Sequence, residues 1–216
     1  MSSLQSRYPK IVVSASTQTG TEHLRRVGPV ASKSRTEGAH VEVIRDYEQV
    51  EQIRSIWTVW QRHPNADIDF YLTVLRSGRE MIRPHILVLY RDGQPQTMLI
   101  GRLEQGHVIV RFGYRTIMRL RAQMMTFIHG GLLGKPSRED AETLIREVCQ
   151  SLHHGEADLA FLSHLNAESD LFRSAKSFSG LLTRDYVSVI DAHRSIALPG
   201  SSEELYRRLS SAVAAP

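Results

Sequence analysis

The residues best suited to hold a ligand are glycines standing just before a capped helix. His129-Gly130-Gly131-Leu132-Leu133-Gly134-Lys135-Pro136-Ser137 lies between an apolar run, Gln123 to His129, and a helical pattern that Ser137 can cap. Glycine lets a backbone approach a ligand closely, and the free N–H groups at a helix N-terminus favour a phosphate. A plain strand-to-helix connection uses the same residue types, so both readings stand. The stretch is not a Walker A loop. That motif needs four residues between its glycines and Gly130 to Gly134 leaves three, while Pro136 occupies the place of the metal-binding Ser or Thr. Nor is it G-x-G-x-x-G.

The other groups with chemical potential are less organised. Arg111, Arg115, Arg119 and Arg121 cluster after the central strands, as a solvated rim or a small anion site. His153-His154 with Asp158 lacks a metal-ligand spacing on one element, because adjacent helical residues point in different directions. His164 and Asn166 follow a strand, where a surface loop and a site residue look alike. Cys149 sits inside an apolar stripe and reads as core. There is no G-x-S-x-G and no H-E-x-x-H, and no Ser/His/Asp triad can be singled out.

These residues must be positioned by a sheet. Pro84 to Tyr114 reads as three antiparallel strands. His85 to Arg91 is closed by Asp92-Gly93, a strong hairpin signal because both turn positions need φ > 0. Thr97 to Leu103 follows, then a turn at Glu104-Gln105-Gly106 and a third strand, His107 to Phe112. This meander is expected at the sheet's centre, with Gln123 to His129 as a fourth strand. Ahead of it, His40 to Arg45 alternates as a first strand. Val50, Ile53, Trp57 and Trp60 then mark one face of a helix over Tyr47 to Arg62. His63-Pro64-Asn65 stops that helix. Asn65 or Asp67 can cap the next, which carries Ile68, Tyr71, Leu72 and Leu75 and ends at Gly78.

Beyond Ser137, the stripe Ala141, Leu144, Ile145, Val148, Cys149 and Leu152 predicts a helix that ends at His153-His154-Gly155. Asp158 to Leu162 is a buried strand, Ser169 to Phe178 a helix, and Tyr186 to Asp191 a strand. Ser201-Ser202-Glu203-Glu204 matches a capping box that opens a last helix.

Composition bounds the setting. The chain has 216 residues and a formal charge of +4, but residues 1–36 hold six basic side chains against Glu22 alone. The body is therefore close to neutral, which makes nucleic acid an unlikely partner. Residues 1–38 show no lasting period and read as a disordered basic tail, with a transit peptide as the sharper alternative. The single cysteine excludes an internal disulfide and points to a cytoplasmic setting. No run nears the roughly 18 apolar residues of a membrane span.

The order strand, helix pair, meander, strand, Gly-rich turn, helix, strand, helix, strand resembles a GNAT half. His63 to Tyr71 before a helix, Pro84 to Gly93, and Tyr186 to Asp191 followed by the Ser201–Glu204 cap resemble the GNAT-like acetyltransferases of the cellulose-biosynthesis and FemAB-like group. The resemblance covers Val41 to Ser210. It implies an α/β (α+β) fold with a mixed, mainly antiparallel central sheet and helices on its faces. Residues 39–216 would form this domain, as the first of two tandem halves or a truncated chain.

The implied activity is acyl transfer from acetyl-CoA or another acyl-CoA to an amine, serving envelope or exopolysaccharide assembly. Gly130, Gly131 and Gly134 become candidate pyrophosphate contacts, and Arg119 and Arg121 candidate partners of the CoA phosphates. The family turn Q/R-x-x-G-x-G/A is absent, and no general base can be named. The alternative is a non-catalytic half-domain that binds a partner, a second copy or a missing half.

Overall fold

The computed structural model describes residues 10–18, 38–78, 80–112, 114–178, 190–193, 200–204 and 206–207. These residues form seven strands: β1 Lys10–Gln18, β2 Ala39–Ile44, β3 Met81–Arg91, β4 Gln94–Phe112, β5 Arg115–Gly134, β6 Leu159–Asn166 and β7 Ile190–His193. The helices are α1 Tyr47–Gln52, α2 Arg54–Trp60, α3 Ile68–Ser77, α4 Arg138–His153 and α5 Asp170–Phe178, with a 3-10 turn at Pro64–Ala66. From β2 onward strands and helices alternate in the order that the sequence implies, except that one expected helix is two and the expected second and third strands of the meander are one.

One sheet holds all the strands, in the order β2-β3-β4-β5-β6-β1-β7. The ladders from β2 to β5 are antiparallel and include the two longest. Those joining β5, β6, β1 and β7 are parallel. The sheet is thus mixed and mainly antiparallel, with helices on both faces.

The packing follows from strand alternation. Ile86 and Val88 face one way, with Met98 and Ile100 of β4, and pack against Trp57, Tyr71, Leu72 and Leu75 of α2 and α3. Leu87 and Leu89 face the other way, with Leu99, Leu103 and Phe127, and pack against Leu144, Ile145 and Val148 of α4. A strand covered on both faces needs no polar side, so β3 reads as a continuous apolar run. The two largest buried polar side chains of this face are satisfied: Trp57 Nε1 donates to the Ala66 carbonyl at 2.7 Å, and Tyr71 Oη to the Gly101 carbonyl at 2.6 Å.

Local signals act where expected. Asp92 and Gly93 close the β3–β4 hairpin at φ 53° and 72°. Asp67 caps α3 through the Asp69 and Phe70 N–H groups, and Gly78 ends it. Ser137 caps α4 in a capping box completed by Asp140, and His154 and Gly155 close it. Near the end of the chain, the Glu204 N–H donates to Ser201 Oγ at 3.3 Å, as the capping pattern there predicts.

Four expectations need correction. The helix over Tyr47 to Arg62 is two helices broken at Ile53, whose ψ of 2° leaves the helical range. There is no turn at Glu104-Gln105-Gly106. β4 runs through it, with Gly106 opposite Ala122, and a side chain on Gly106 would collide with Met124 Sδ. The glycine thus makes room inside a strand rather than a bend. The middle strand of the sheet is β5, not the β3–β4 hairpin. Finally, Lys10–Gln18, read as part of a disordered tail, forms β1 in parallel register with β6 and β7. Its order comes from two partners distant in sequence, which no local pattern signals. Residues 1–9, 19–37, 179–189 and 194–199 lie outside the described residues. So do most of the strand expected at Tyr186 to Asp191 and the end of the last helix.

Candidate functional site

β5 and β6 run side by side only from Met124↔Leu159 to Phe127↔Leu162. Past that point they part. Two irregularities force the separation. On β5, four residues, Ile128 to Gly131, stand where β4 has Ile100 alone, between the Phe127–Gly101 and Leu132–Leu99 pairings. On β6, Ser163 and His164 stand opposite a single β1 residue, and His164 takes φ 53°. A non-glycine residue at positive φ is uncommon and such positions cluster at functional sites. Ser163 Oγ donates to the Phe127 carbonyl at 3.2 Å, bridging the fork at its closed end.

The fork encloses a cleft of about 210 Å³. Leu99, Phe127, Leu132 and Leu165 supply apolar wall, and the β5 bulge, Ser163, His164, Asn166 and Ser169 supply the polar part. Parallel strands that separate leave main-chain groups facing the gap, and an extended ligand can pair with such groups as a strand would.

Three imidazoles gather at this bulge. His129 packs on His63 with ring centroids 4.3 Å apart, and on His164 at 5.1 Å. His63 arrives from the 3-10 turn, where its Nδ1 accepts the Asn65 N–H at 3.1 Å, leaving its ring proton on Nε2. His63 and His129 are half-buried and His164 is exposed, so the group runs from the protein interior to solvent. The described residues contain no group of three ligand-type side chains in metal-binding geometry. Imidazole is the side chain whose ordinary titration range lies closest to neutral pH, so such a group is suited to taking up and passing on a proton.

The glycines make room for neighbours within the protein. A Cβ on Gly130, at φ 73°, would meet the His63 ring. On Gly131 it would meet Ile128, and on Gly134, at φ 88°, the Gln96 carbonyl. Each glycine admits a neighbour from within the protein. Gly130 and Gly131 lie in the bulge and line the cleft, whereas Gly134 ends β5 against β4. The α4 N-terminus stands just beyond. Its first turn carries Glu139 and Asp140, and the capping box already uses the Asp140 and Ser137 N–H groups. Burial opposes ionisation of Asp140, but the Ser137 groups and the Arg91 guanidinium at 2.7 Å outweigh it and hold the carboxyl below its usual range. Of the nearby cations, Arg138 pairs with Glu142. This end thus resembles a self-satisfied cap more than a phosphate cradle.

Arg119 and Arg121 are not brought to the glycines. They lie on the far half of β5, nine or more residues from Gly130, roughly 25 Å or more in extended chain. Cys149 is partly buried, and burial pushes its thiol up, against a nucleophilic role. His153 hydrogen-bonds the Cys149 carbonyl within α4 and has no part in the cleft. His63 and His129 were not singled out in the sequence as chemical groups, since 66 residues separate them. His164 was noticed only as a residue after a strand end.

No protein-family model matches the chain, and no curated protein matches it. Solved structures do overlap it. A ribosomal-protein-alanine N-acetyltransferase from Brucella melitensis biovar Abortus 2308 is 9% identical, at TM-score 0.39, over 76% of this chain and 100% of that one. A transcriptional regulator from Bacillus halodurans C-125 is 10% identical, at TM-score 0.38, over 74% and 99%. The aminoglycoside N-acetyltransferase AAC(6')-Iy in complex with CoA is 11% identical, at TM-score 0.36, over 78% and 99%.

Proposed function

We infer that the chain is an acyl-CoA-binding protein of the N-acyltransferase type, with the fork between β5 and β6 as its site. The observation that carries this reading is the parting of two parallel strands after Phe127↔Leu162 around a largely apolar cleft. An acyl thioester on a pantetheine arm is long, narrow and amide-bearing, and it suits main-chain groups left facing a gap. The cleft's size fits the reactive end of such a substrate rather than the whole cofactor, since full ligand pockets run to about 300 Å³ and more.

An acyl thioester supplies an activated carbonyl, and an attacking amine must lose a proton. His129 is the side chain we assign to accept it, with His164 at the solvent end of the group and His63 fixing the inner ring by contact. Positioned imidazoles contribute roughly 100- to 10,000-fold to such proton transfers. Main-chain N–H groups of the bulge supply polarity at the carbonyl oxygen. The sequence resemblance extends the proposal to a cytoplasmic enzyme serving envelope or exopolysaccharide assembly, related to the cellulose-biosynthesis and FemAB-like group.

A second reading is favoured by one observation. The α4 N-terminus carries two acids and uses its own N–H groups, which weakens a phosphate site and suits a binding-only module. Titration calorimetry with acetyl-CoA and with the isolated pantetheine thioester separates the readings. Binding of either, lost in a Leu165→Trp variant that enlarges a side chain of the cleft wall, supports the acyltransferase site. No binding of either at millimolar ligand overturns it.

A further inference from the structure

The arginine-rich segment that the cleft leaves unused forms a separate structural unit. β3 pairs with β4 only as far as Glu104, and β6 pairs with β5 only from Met124. Among the described residues, the two strands therefore continue from Gly106 to Ala122 as a ribbon with no strand on either side. Seven residues per strand carry it roughly 20 Å past its neighbours. A lone two-stranded ribbon is marginally stable in water unless something covers it.

Its surface is unlike the rest of the molecule. Ten large hydrophobic side chains are exposed among the described residues, and five of them are Ile109, Tyr114, Ile117, Met118 and Leu120 of this ribbon. Tyr114, at the tip, is fully exposed. From Gln105 to Gln123 the chain carries Arg111, Arg115, Arg119 and Arg121 and neither Asp nor Glu. Residues directly opposite share a face: Val108 with Leu120 makes an apolar side, while His107 with Arg121 and Ile109 with Arg119 make a cationic one. Arg121 Nε donates to Gln105 Oε1 across the cationic face, and Arg115 and Arg119 have no ion pair among the described residues.

We propose that this ribbon is a docking arm for an anionic phospholipid surface. The apolar side, with Met118 and Leu120, enters the acyl boundary, Tyr114 sits at the interfacial depth where amphipathic rings collect, and the long arginines of the opposite side reach the headgroups around the inserted ribbon. Nucleic acid would match the charge but leave the five exposed apolar side chains in water, so lipid is the better complement.

The test is flotation of the full chain with vesicles of phosphatidylcholine alone and with a third phosphatidylglycerol. Binding is expected to the anionic vesicles only and to weaken in high salt. Replacing Arg115, Arg119 and Arg121 by Gln lowers partitioning about a hundredfold, at about fivefold for each charge. Leu120→Ser lowers it about tenfold or more with every charge in place. The variants sit on an exposed ribbon, and unchanged circular dichroism and melting temperature show that the body is intact. Equal binding to neutral vesicles, no binding, or retention by the triple-Gln variant through the basic N-terminal segment would each overturn the proposal. So would tighter binding to a short DNA duplex than to the anionic vesicles. A dimer in light scattering that Leu120→Ser abolishes would assign the face to a second copy and overturn it as well.

Discussion

Acid should destabilise this fold through His85. Its imidazole is fully buried on β3, edge-on to Phe127, and neither ring nitrogen has a hydrogen-bond partner among the described residues. Glu156 lies 3.7 Å from Nδ1, but its carboxylate is claimed by Arg45 and Arg83, each at 2.6 Å. Burial is the main reason His85 resists protonation. The attraction of Glu156 is smaller, and Arg83 and Arg45 oppose protonation further, leaving a pKa of about 4.

The folded-state value lies below the ordinary 6.5, so in between only the unfolded chain takes up the proton. Stability is unaffected by His85 above about pH 6.5 and falls as the pH drops toward 4. Between pH 7 and pH 5 the loss comes to about 2 kcal/mol, or roughly 4–8 °C in melting temperature for a chain of this size. Glu156, held well below the usual carboxylate range first by the Arg45 hydrogen bond, adds a loss in the same direction at lower pH.

Leu is close to His in volume and cannot titrate. The His85→Leu variant should therefore match the wild type or exceed it by about 1 kcal/mol at pH 7, and lose about 2 kcal/mol less on going to pH 5. Urea denaturation of both proteins across that range reads the difference directly and cancels the other histidines. Parallel stability curves for the two proteins would show that His85 is protonated in the fold, and the argument from burial would fail.

Further outcomes follow from named contacts. Gly130→Ala places a Cβ against the His63 ring at a positive φ, so we expect a loss of about 1–3 kcal/mol in thermal unfolding and a displaced His63 signal in NMR. Tyr71→Phe removes the 2.6 Å bond to the Gly101 carbonyl deep in the core, costing about 1–3 kcal/mol by denaturant titration. Ser137→Ala removes one half of the α4 capping box and should cost about 1 kcal/mol. If the cleft transfers acyl groups, His129→Gln should lower turnover by about 100-fold or more while acetyl-CoA affinity measured by calorimetry holds. An equal fall in both would point to a packing role for His129.

The sequence by itself determined what depends on neighbours along the chain. The Asp92-Gly93 turn needs two adjacent residues that tolerate positive φ, and Asp67 and Ser137 cap helices through N–H groups two or three residues away. The buried faces of α3 and α4 follow from spacing alone. The apolar run of β3 marks a strand, while the helices on the sheet's faces are implied only by the family resemblance.

Tertiary structure decided whatever depends on pairing across long separations. Lys10–Gln18 is a strand because β6 and β7 receive it. Gly106 stays extended because it pairs with Ala122 of β5, and Met124 fills the space a side chain there would need. The break at Ile53 left no mark in a pattern whose apolar positions continue through it. His63, His129 and His164 come from three elements and meet because β5 and β6 each carry surplus residues where their pairing ends. Strand register, and with it the position of a bulge, is set by the summed packing of whole faces, which no window of the sequence contains.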